Sequence, residues 1–352
     1  MSIETASGDL LKADRVDALV NTVNCVGVMG KGIALQFKLK WPENYQAYEA
    51  ACRRGEVQIG KMFVCDLGAL ATPKYIINFP TKEHWRGRSK IAYIRAGLLD
   101  LVEQIRSLNI SSIAVPPLGA GNGGLAWDEV RPVIEEAFRE LPDVEVKLFE
   151  PAGAPPPNEL EVRTARPAMT TVRAALLKLL TVYRDLGYGL SKLEVQKLVY
   201  FLVAAGRPLP AIAFSKNNYG PYCDKLRHVL GAMEGHFIRG LGDGSTEAQI
   251  EPMPAALEQA EELLRSSDDQ TIKVQVERVA DLISGFETPY GLELLSTVHW
   301  VATNEPHARN IEAAVVAVQS WNARKKALFS PQHIAVAWNR LNDNGWMSER
   351  AH

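Results

Sequence analysis

The chain has 352 residues, 47% hydrophobic and 23% charged, a balance that supports a sizeable core, excludes wholesale disorder and, at this length, implies two domains. Thirty-nine Lys and Arg against 41 Asp and Glu leave a net charge of −2, so no global positive field attracts nucleic acid or an anionic membrane, and any nucleic-acid contact must be local. No apolar run approaches the about 18 to 20 residues of a bilayer span, and MSIETASGDLLKADR matches neither a signal nor a transit peptide, so a cytoplasmic protein with no membrane partner is expected.

In chain order, Gly8-Asp9-Leu10 comes first, and a Gly-Asp pair is by itself most often a turn. The apolar run Ala18 to Val23 is strand-length and ends among Asn21, Asn24 and the glycines of Gly27-Val28-Met29-Gly30-Lys31-Gly32. Asparagines and a Gly/Lys loop supply donors where α/β sheets bind ligands. The helical pattern from Ile33 to Leu39 would aim its N-terminal amides at the same place, which suits phosphate. Cys25 and Cys52 follow here, and with Cys65 and Cys223 they form no CxxC pair or Cys/His cluster, so neither zinc nor a disulfide framework is indicated.

Met62 to Leu67 and Tyr75 to Phe79 are the next strands, and the second runs into Pro80-Thr81-Lys82-Glu83-His84-Trp85-Arg86. Lys82 beside Glu83 reads equally well as a solvated pair or, at a strand end, as an amine placed to act as nucleophile or proton-transfer partner. His84 is more simply a packed or capping histidine. A helix over Ser89 to Leu108 carries Ile91, Ile94, Leu98, Leu101, Val102 and Ile105 at helical steps, and a strand over Ile113 to Val115 leads into Gly119-Ala120-Gly121-Asn122-Gly123-Gly124. Four glycines in these six residues let backbone amides approach an anion. The two glycine loops together suggest a cradled diphosphate. The second also fits GxGxxG, but only one helix, Asp128 to Leu141, and one strand, Val144 to Phe149, follow it, which disfavours a dinucleotide-binding unit and hydride transfer.

Residues 150–167, EPAGAPPPNELEVRTARP, hold five prolines and no apolar period. They separate an α/β domain, 1–152, from a mainly α-helical domain, 168–352, with the linker at 153–167. In the second domain only Pro208 to Ser215 looks extended, Ser191 and Glu194 fit a capping box, and residues 240–249 form a glycine-rich surface turn. Residues 243–269 contain eight acidic residues and one basic residue, Arg265. Such a run is most often a solvated helix face, though it could also meet a basic groove on a partner.

LVNTVNCVGVMGKGIALQFKLKWPENYQAYEAACRRGEVQIGKM, TKEHWRGRSK and PPLGAGNGGLAW resemble a macrodomain across about residues 1–150, and specifically the DarG family of DarT/DarG toxin–antitoxin systems. The resemblance implies an α/β/α sandwich with a mixed sheet, and a glycohydrolase that removes ADP-ribose from DNA bases, thymidine in single strands above all, without a cofactor. It implies that Asp9, with Leu10 beside it, accepts from the adenine amino group and that Asn24 orients the distal ribose. Gly30, Lys31, Gly32 and Ile33, with Gly119, Ala120, Gly121, Asn122 and Gly123, would surround the diphosphate and distal ribose, and Lys82 would be catalytic. Related macrodomains that cleave protein-linked esters pair that lysine with an aspartate where this sequence has Gly123. LSKLEVQKLVYFLVAAG and NNYGPYCDKLRHVL resemble the helical antitoxin module called Panacea, which implies binding and neutralisation of a cognate DarT-like transferase. An ADP-ribose reader that hydrolyses nothing and only sequesters the toxin is the alternative; Lys82 favours the enzyme.

Overall fold

The structure, a computed structural model, describes residues 2–151, 161–184, 190–206, 209, 212–241, 249–267 and 269–347. The chain divides between Ala165 and Arg166 into two compact units.

In the first unit β1 (Ser2–Ala6), β2 (Ala18–Asn24), β3 (Phe63–Asp66), β4 (Tyr75–Lys82), β5 (Ser112–Val115) and β6 (Glu145–Phe149) form one mixed sheet in the order β1-β6-β5-β2-β4-β3. Its strands pair in parallel except edge strand β3, which is antiparallel to β4. Helices α1 (Gly32–Lys40), α2 (Pro42–Arg53), α3 (Ile91–Ser107) and α4 (Trp127–Phe138) complete the unit. Ala18, Val20, Ile77, Phe79, Ile113 and Val115 share a core with Ile94, Leu98 and Leu101 of α3 and Val130 and Ile134 of α4. The intervening Leu19, Ile76 and Ala114 pack with Phe37 and Trp41 in another. Both faces are therefore covered, which is why these strands read as unbroken apolar runs rather than alternating ones. β1 escaped the sequence reading because SIETA has no such run.

The parallel strands all deliver their carboxyl ends to one edge of the sheet. β1 leads to Gly8 and Asp9, β2 to the first glycine loop, β4 ends at Lys82, and β5 leads to the second glycine loop. That edge is where open α/β sheets bind ligands.

The second unit contains α5 (Thr171–Arg184), α6 (Lys192–Ala204), α7 (Leu226–Met233), α8 (Pro254–Ser266), α9 (Gln270–Ile283), α10 (Pro289–Asn304), α11 (Ile311–Gln319), α12 (Ala323–Leu328) and α13 (Pro331–Asp343). Two short ribbons accompany them, β7 (Ser215–Asn217) with β8 (Gly220–Tyr222) and β9 (Ile238–Arg239) with β10 (Glu251–Pro252). The core gathers Leu177, Leu180, Leu198, Phe201, Leu292, Leu295 and Val298, all essentially inaccessible. Ser191 and Glu194 close the capping box expected of them. Trp300, Trp321 and Trp338 pack against the core half-buried. None of the described helices is long and apolar enough to cross a membrane.

The extended segment expected over Pro208 to Ser215 lies largely outside the described residues, and a strand begins at Ser215. Most of the 240–249 turn and residues 152–160 of the linker also lie outside them. Beyond that gap the chain is held: Glu161 pairs with Lys40 at 3.0 Å, and the Arg163 amide donates to the Leu39 carbonyl at 2.8 Å.

Candidate functional site

Gly8, with φ at +98°, turns β1 into Asp9, whose Oδ1 accepts from the Leu11 amide at 2.9 Å and caps a one-turn 3-10 helix, Leu10–Lys12. Leu10 is buried at 4% exposure within the core that holds Leu19 and Phe37, so only its backbone is placed to meet a ligand.

At the end of β2 the two asparagines separate in role. Asn21 was expected to supply donors to a ligand. It is instead fully buried, donating to Asn78 Oδ1 at 2.9 Å, while Asn78 donates to Asn44 Oδ1 at 2.7 Å. Side chains alternate across a strand, and position 21 falls inside the layer. Asn24 shapes the first glycine loop: its Oδ1 accepts from the Val26 and Val28 amides at 3.0 and 3.3 Å, and its Nδ2 donates to the Val28 carbonyl at 2.6 Å. The buried Tyr48 hydroxyl donates to the Asn24 carbonyl at 2.6 Å, a support that no sequence motif marks. The loop then enters α1 through Lys31, its N-terminal flanking residue, and Gly32, whose φ is +55°. Ile33 packs half-buried beside Phe37.

β4 ends in an irregularity. Val23 lies opposite Pro80, but Asn24 lies opposite Lys82, so Thr81 is the extra residue. Pro80 has no amide hydrogen to give the ladder, and a bulge absorbs the loss. The result seats Lys82 beside Asn24.

The second glycine loop folds on itself, with Ala120 donating to the Pro117 carbonyl at 3.0 Å, Gly124 to Gly121 at 3.1 Å and Leu125 to Gly119 at 3.1 Å. The Ser89 amide donates to the Gly123 carbonyl at 3.0 Å, and the buried Ser89 hydroxyl beneath the loop has no hydrogen-bond partner. Gly121 and Asn122 are exposed, and space for a side chain at Gly121 is open. At Gly123 a Cβ would fall on the Gly119 carbonyl and the Ser89 hydroxyl. The missing aspartate is thus a steric matter: this backbone has no room for it.

Three of the segments converge. Lys82 Nζ donates to the Asn122 carbonyl, and a Cβ on Gly32 would lie 2.7 Å from Asn122 Nδ2. Both glycine loops and the amine therefore meet around Asn122. Burial, and then the neighbouring Lys31, hold the Lys82 pKa below its ordinary value. Two cations beside exposed loop backbone create a positive pocket suited to a diphosphate, and the shift favours the neutral, nucleophilic amine. The Cys25 thiol is pushed up to about 11, by burial first, and is no competing nucleophile. Among the described residues no cluster of His, Cys, Asp or Glu could hold a metal.

A macro domain family model matches residues 20–134. A DNA ADP-ribosyl glycohydrolase of Thermus aquaticus is 50% identical over 338 residues, 96% of this chain and 92% of its own. The solved macrodomain of Mycobacterium tuberculosis DarG is 65% identical, aligned with 43% of this chain and 98% of its own at a TM-score of 0.42. A DNA ADP-ribosyl transferase–DNA ADP-ribosyl glycohydrolase fusion protein of Thermosipho africanus is 33% identical over 165 residues, 43% of this chain and 42% of its own.

Proposed function

The chain belongs to the DNA ADP-ribosyl glycohydrolase family, DarG, and from that premise we propose how its residues divide the work. The protein is a glycohydrolase that removes ADP-ribose from DNA, and the reader without hydrolysis is set aside. In the reaction we assign, the two glycine loops hold the diphosphate through backbone amides with Lys31 alongside. Asp9 receives the adenine amino group, and Asn24, locked by Tyr48, sets the loop against which the distal ribose lies. The Lys82 amine bonds to the anomeric carbon as the bond to the base nitrogen breaks, the proton the amine gives up passing to the departing base, and water then replaces the lysine at that carbon to release ADP-ribose and the free amine. The observation that carries this reading is the meeting of Lys82 Nζ with the Asn122 carbonyl, one amine at the junction of both glycine loops. Thymidine in single-stranded DNA is the modified base we assign.

The fusion of a transferase to a glycohydrolase in the Thermosipho africanus relative supports a DarT-type transferase as partner. We assign its binding and neutralisation to the second unit, and place the pair with DNA in the cytoplasm. Incubation of the full chain with single-stranded DNA carrying ADP-ribosylated thymidine tests the enzymatic part. Free ADP-ribose and intact, unmodified DNA are expected, and persistence of the mark overturns the assignment of base and strand.

A further inference from the structure

Between Lys82 and the buried Ser89 lie six consecutive exposed residues, Glu83–Arg88. None of them is among the residues assigned above to ADP-ribose. Trp85 is 40% exposed; its ring stacks with His84 at 5.4 Å between centroids, and the Arg86 guanidinium lies 4.5 Å above it. The segment is a built turn rather than a loose end. Gly87 donates to the His84 carbonyl at 2.9 Å, the Arg86 amide donates to His84 Nδ1 at 3.3 Å, and the Cys25 amide donates to the Glu83 carbonyl at 3.2 Å, fastening the turn to the first glycine loop. Its single carboxylate, Glu83, accepts from the Tyr93 hydroxyl at 2.8 Å. Among the described residues neither Arg86 nor Arg88 forms an ion pair, although most arginines of this unit do.

An exposed indole and two guanidiniums without ion pairs follow within six residues the amine assigned to attack the anomeric carbon. Aromatic faces stack on unpaired bases of any sequence and guanidiniums hold phosphates, whereas a paired base offers no free face. Resting on the glycohydrolase reading, we propose that the Trp85–Arg86–Arg88 strip grips the single strand flanking the modified base: the Arg86 guanidinium turns from the indole to a backbone phosphate, Arg88 holds another, and the indole face so uncovered stacks on a neighbouring base. The strip supplies the local positive charge that the net charge of −2 denies the chain as a whole.

The test uses the full chain, Trp85→Ala, Trp85→Phe and the double variant Arg86→Gln/Arg88→Gln. Two substrates carry the same modified base, one an ADP-ribosylated nucleoside and the other a single-stranded oligonucleotide. Binding of the unmodified oligonucleotide is followed separately by fluorescence anisotropy. Trp85→Ala and the double variant should raise KM for the oligonucleotide about tenfold or more, the scale of losing a stacked base, with kcat and nucleoside turnover unchanged. Trp85→Phe should keep most of the affinity. The double variant should flatten the log–log salt dependence by about 1.4, two phosphate contacts on a single strand. Equal losses on nucleoside and oligonucleotide, or wild-type anisotropy in Trp85→Ala and the double variant, overturn the strip. Strip-dependent oligonucleotide binding by a wild type that hydrolyses neither substrate keeps the strip and overturns the glycohydrolase reading instead.

Discussion

Gly121 and Gly123 stand two residues apart and make opposite demands on a side chain. Gly121→Glu meets no obstacle in the fold, so the variant should melt like wild type yet lose detectable heat of ADP-ribose binding if, as proposed, the new carboxylate falls where the diphosphate is held. Gly123→Asp must push the Gly119 carbonyl or the Ser89 hydroxyl aside. It should lower both melting temperature and ADP-ribose affinity, and a faster enzyme would show that a lysine–aspartate pair can be restored here after all. In the proposed reaction Lys82 sets the pH response. If the neutral amine is the nucleophile, as assigned, its pKa below 10.5 means that turnover should rise with pH through that lowered value. Lys31→Gln removes one cause of the lowering and should move the rise to higher pH; an unmoved profile would separate the two lysines. At this scale residue type and position mark the glycine loops and Asn24 and leave Lys82 open between a solvated pair and a reactive amine, whereas Tyr48 and Ser89 are not marked at all, since a tyrosine within α2 and a serine before α3 gain their contacts only through folding.

At the scale of elements, the strands that were legible were β2 to β6: β2, β4 and β5 lie buried on both faces and carry near-continuous apolar runs, whereas the half-exposed edge strand β3 and the alternating β6 were marked only by their short apolar stretches. β1 and the three-residue strands of the β7–β8 ribbon carry no such pattern. The helices of the second unit were legible as helices, but not the charges they enclose. Lys325 of α12 is fully buried, with Nζ 2.8 Å from Glu293 Oε1 of α10 and 3.0 Å from Thr297 Oγ1, and Arg324 reaches the same carboxylate. Burial pushes the Glu293 carboxyl up, but Arg324 and Lys325 hold it below its ordinary value. Glu293→Gln leaves Lys325 buried without a counter-charge and should destabilise the second unit by about 3 to 5 kcal/mol in chemical denaturation. Lys197 of α6, also buried, donates to the Pro221 carbonyl at 2.7 Å, and burial, then Lys325, brings its pKa down to about 7. An unfolded lysine keeps its proton up to about 10.5, so between these values the unfolded chain binds more protons and the folded unit gains stability as pH rises. Denaturation across that window should show the gain, and Lys197→Met should remove it.

For the whole molecule, composition and the proline-rich break pointed to two domains, and the units divide between Ala165 and Arg166. Of the acidic run of 243–269, Asp243, Glu247 and Asp268 lie outside the described residues, and the rest reads differently once folded. Glu251 pairs with Arg184 at 2.9 Å, Glu261 with Lys178 at 3.2 Å and Glu262 with Arg265, and Asp269 caps α9. A sequence shows how many carboxylates lie close together, not how many already have partners, and exposed pairs of this kind contribute little either way. The second unit nevertheless has its own core, and residues 165–352 should block new DNA modification by the cognate transferase while leaving existing marks in place. Removal of existing marks by that fragment would refute the division of labour. The proposed division, chemistry by Lys82 and binding by the glycine loops, is decided by comparing the full chain with Lys82→Ala, measuring ADP-ribose release from modified single-stranded DNA and ADP-ribose affinity by calorimetry. Release should fall at least about a hundredfold with affinity largely kept, whereas wild-type release from Lys82→Ala would return the lysine to an ordinary surface role and leave the reaction without its assigned nucleophile.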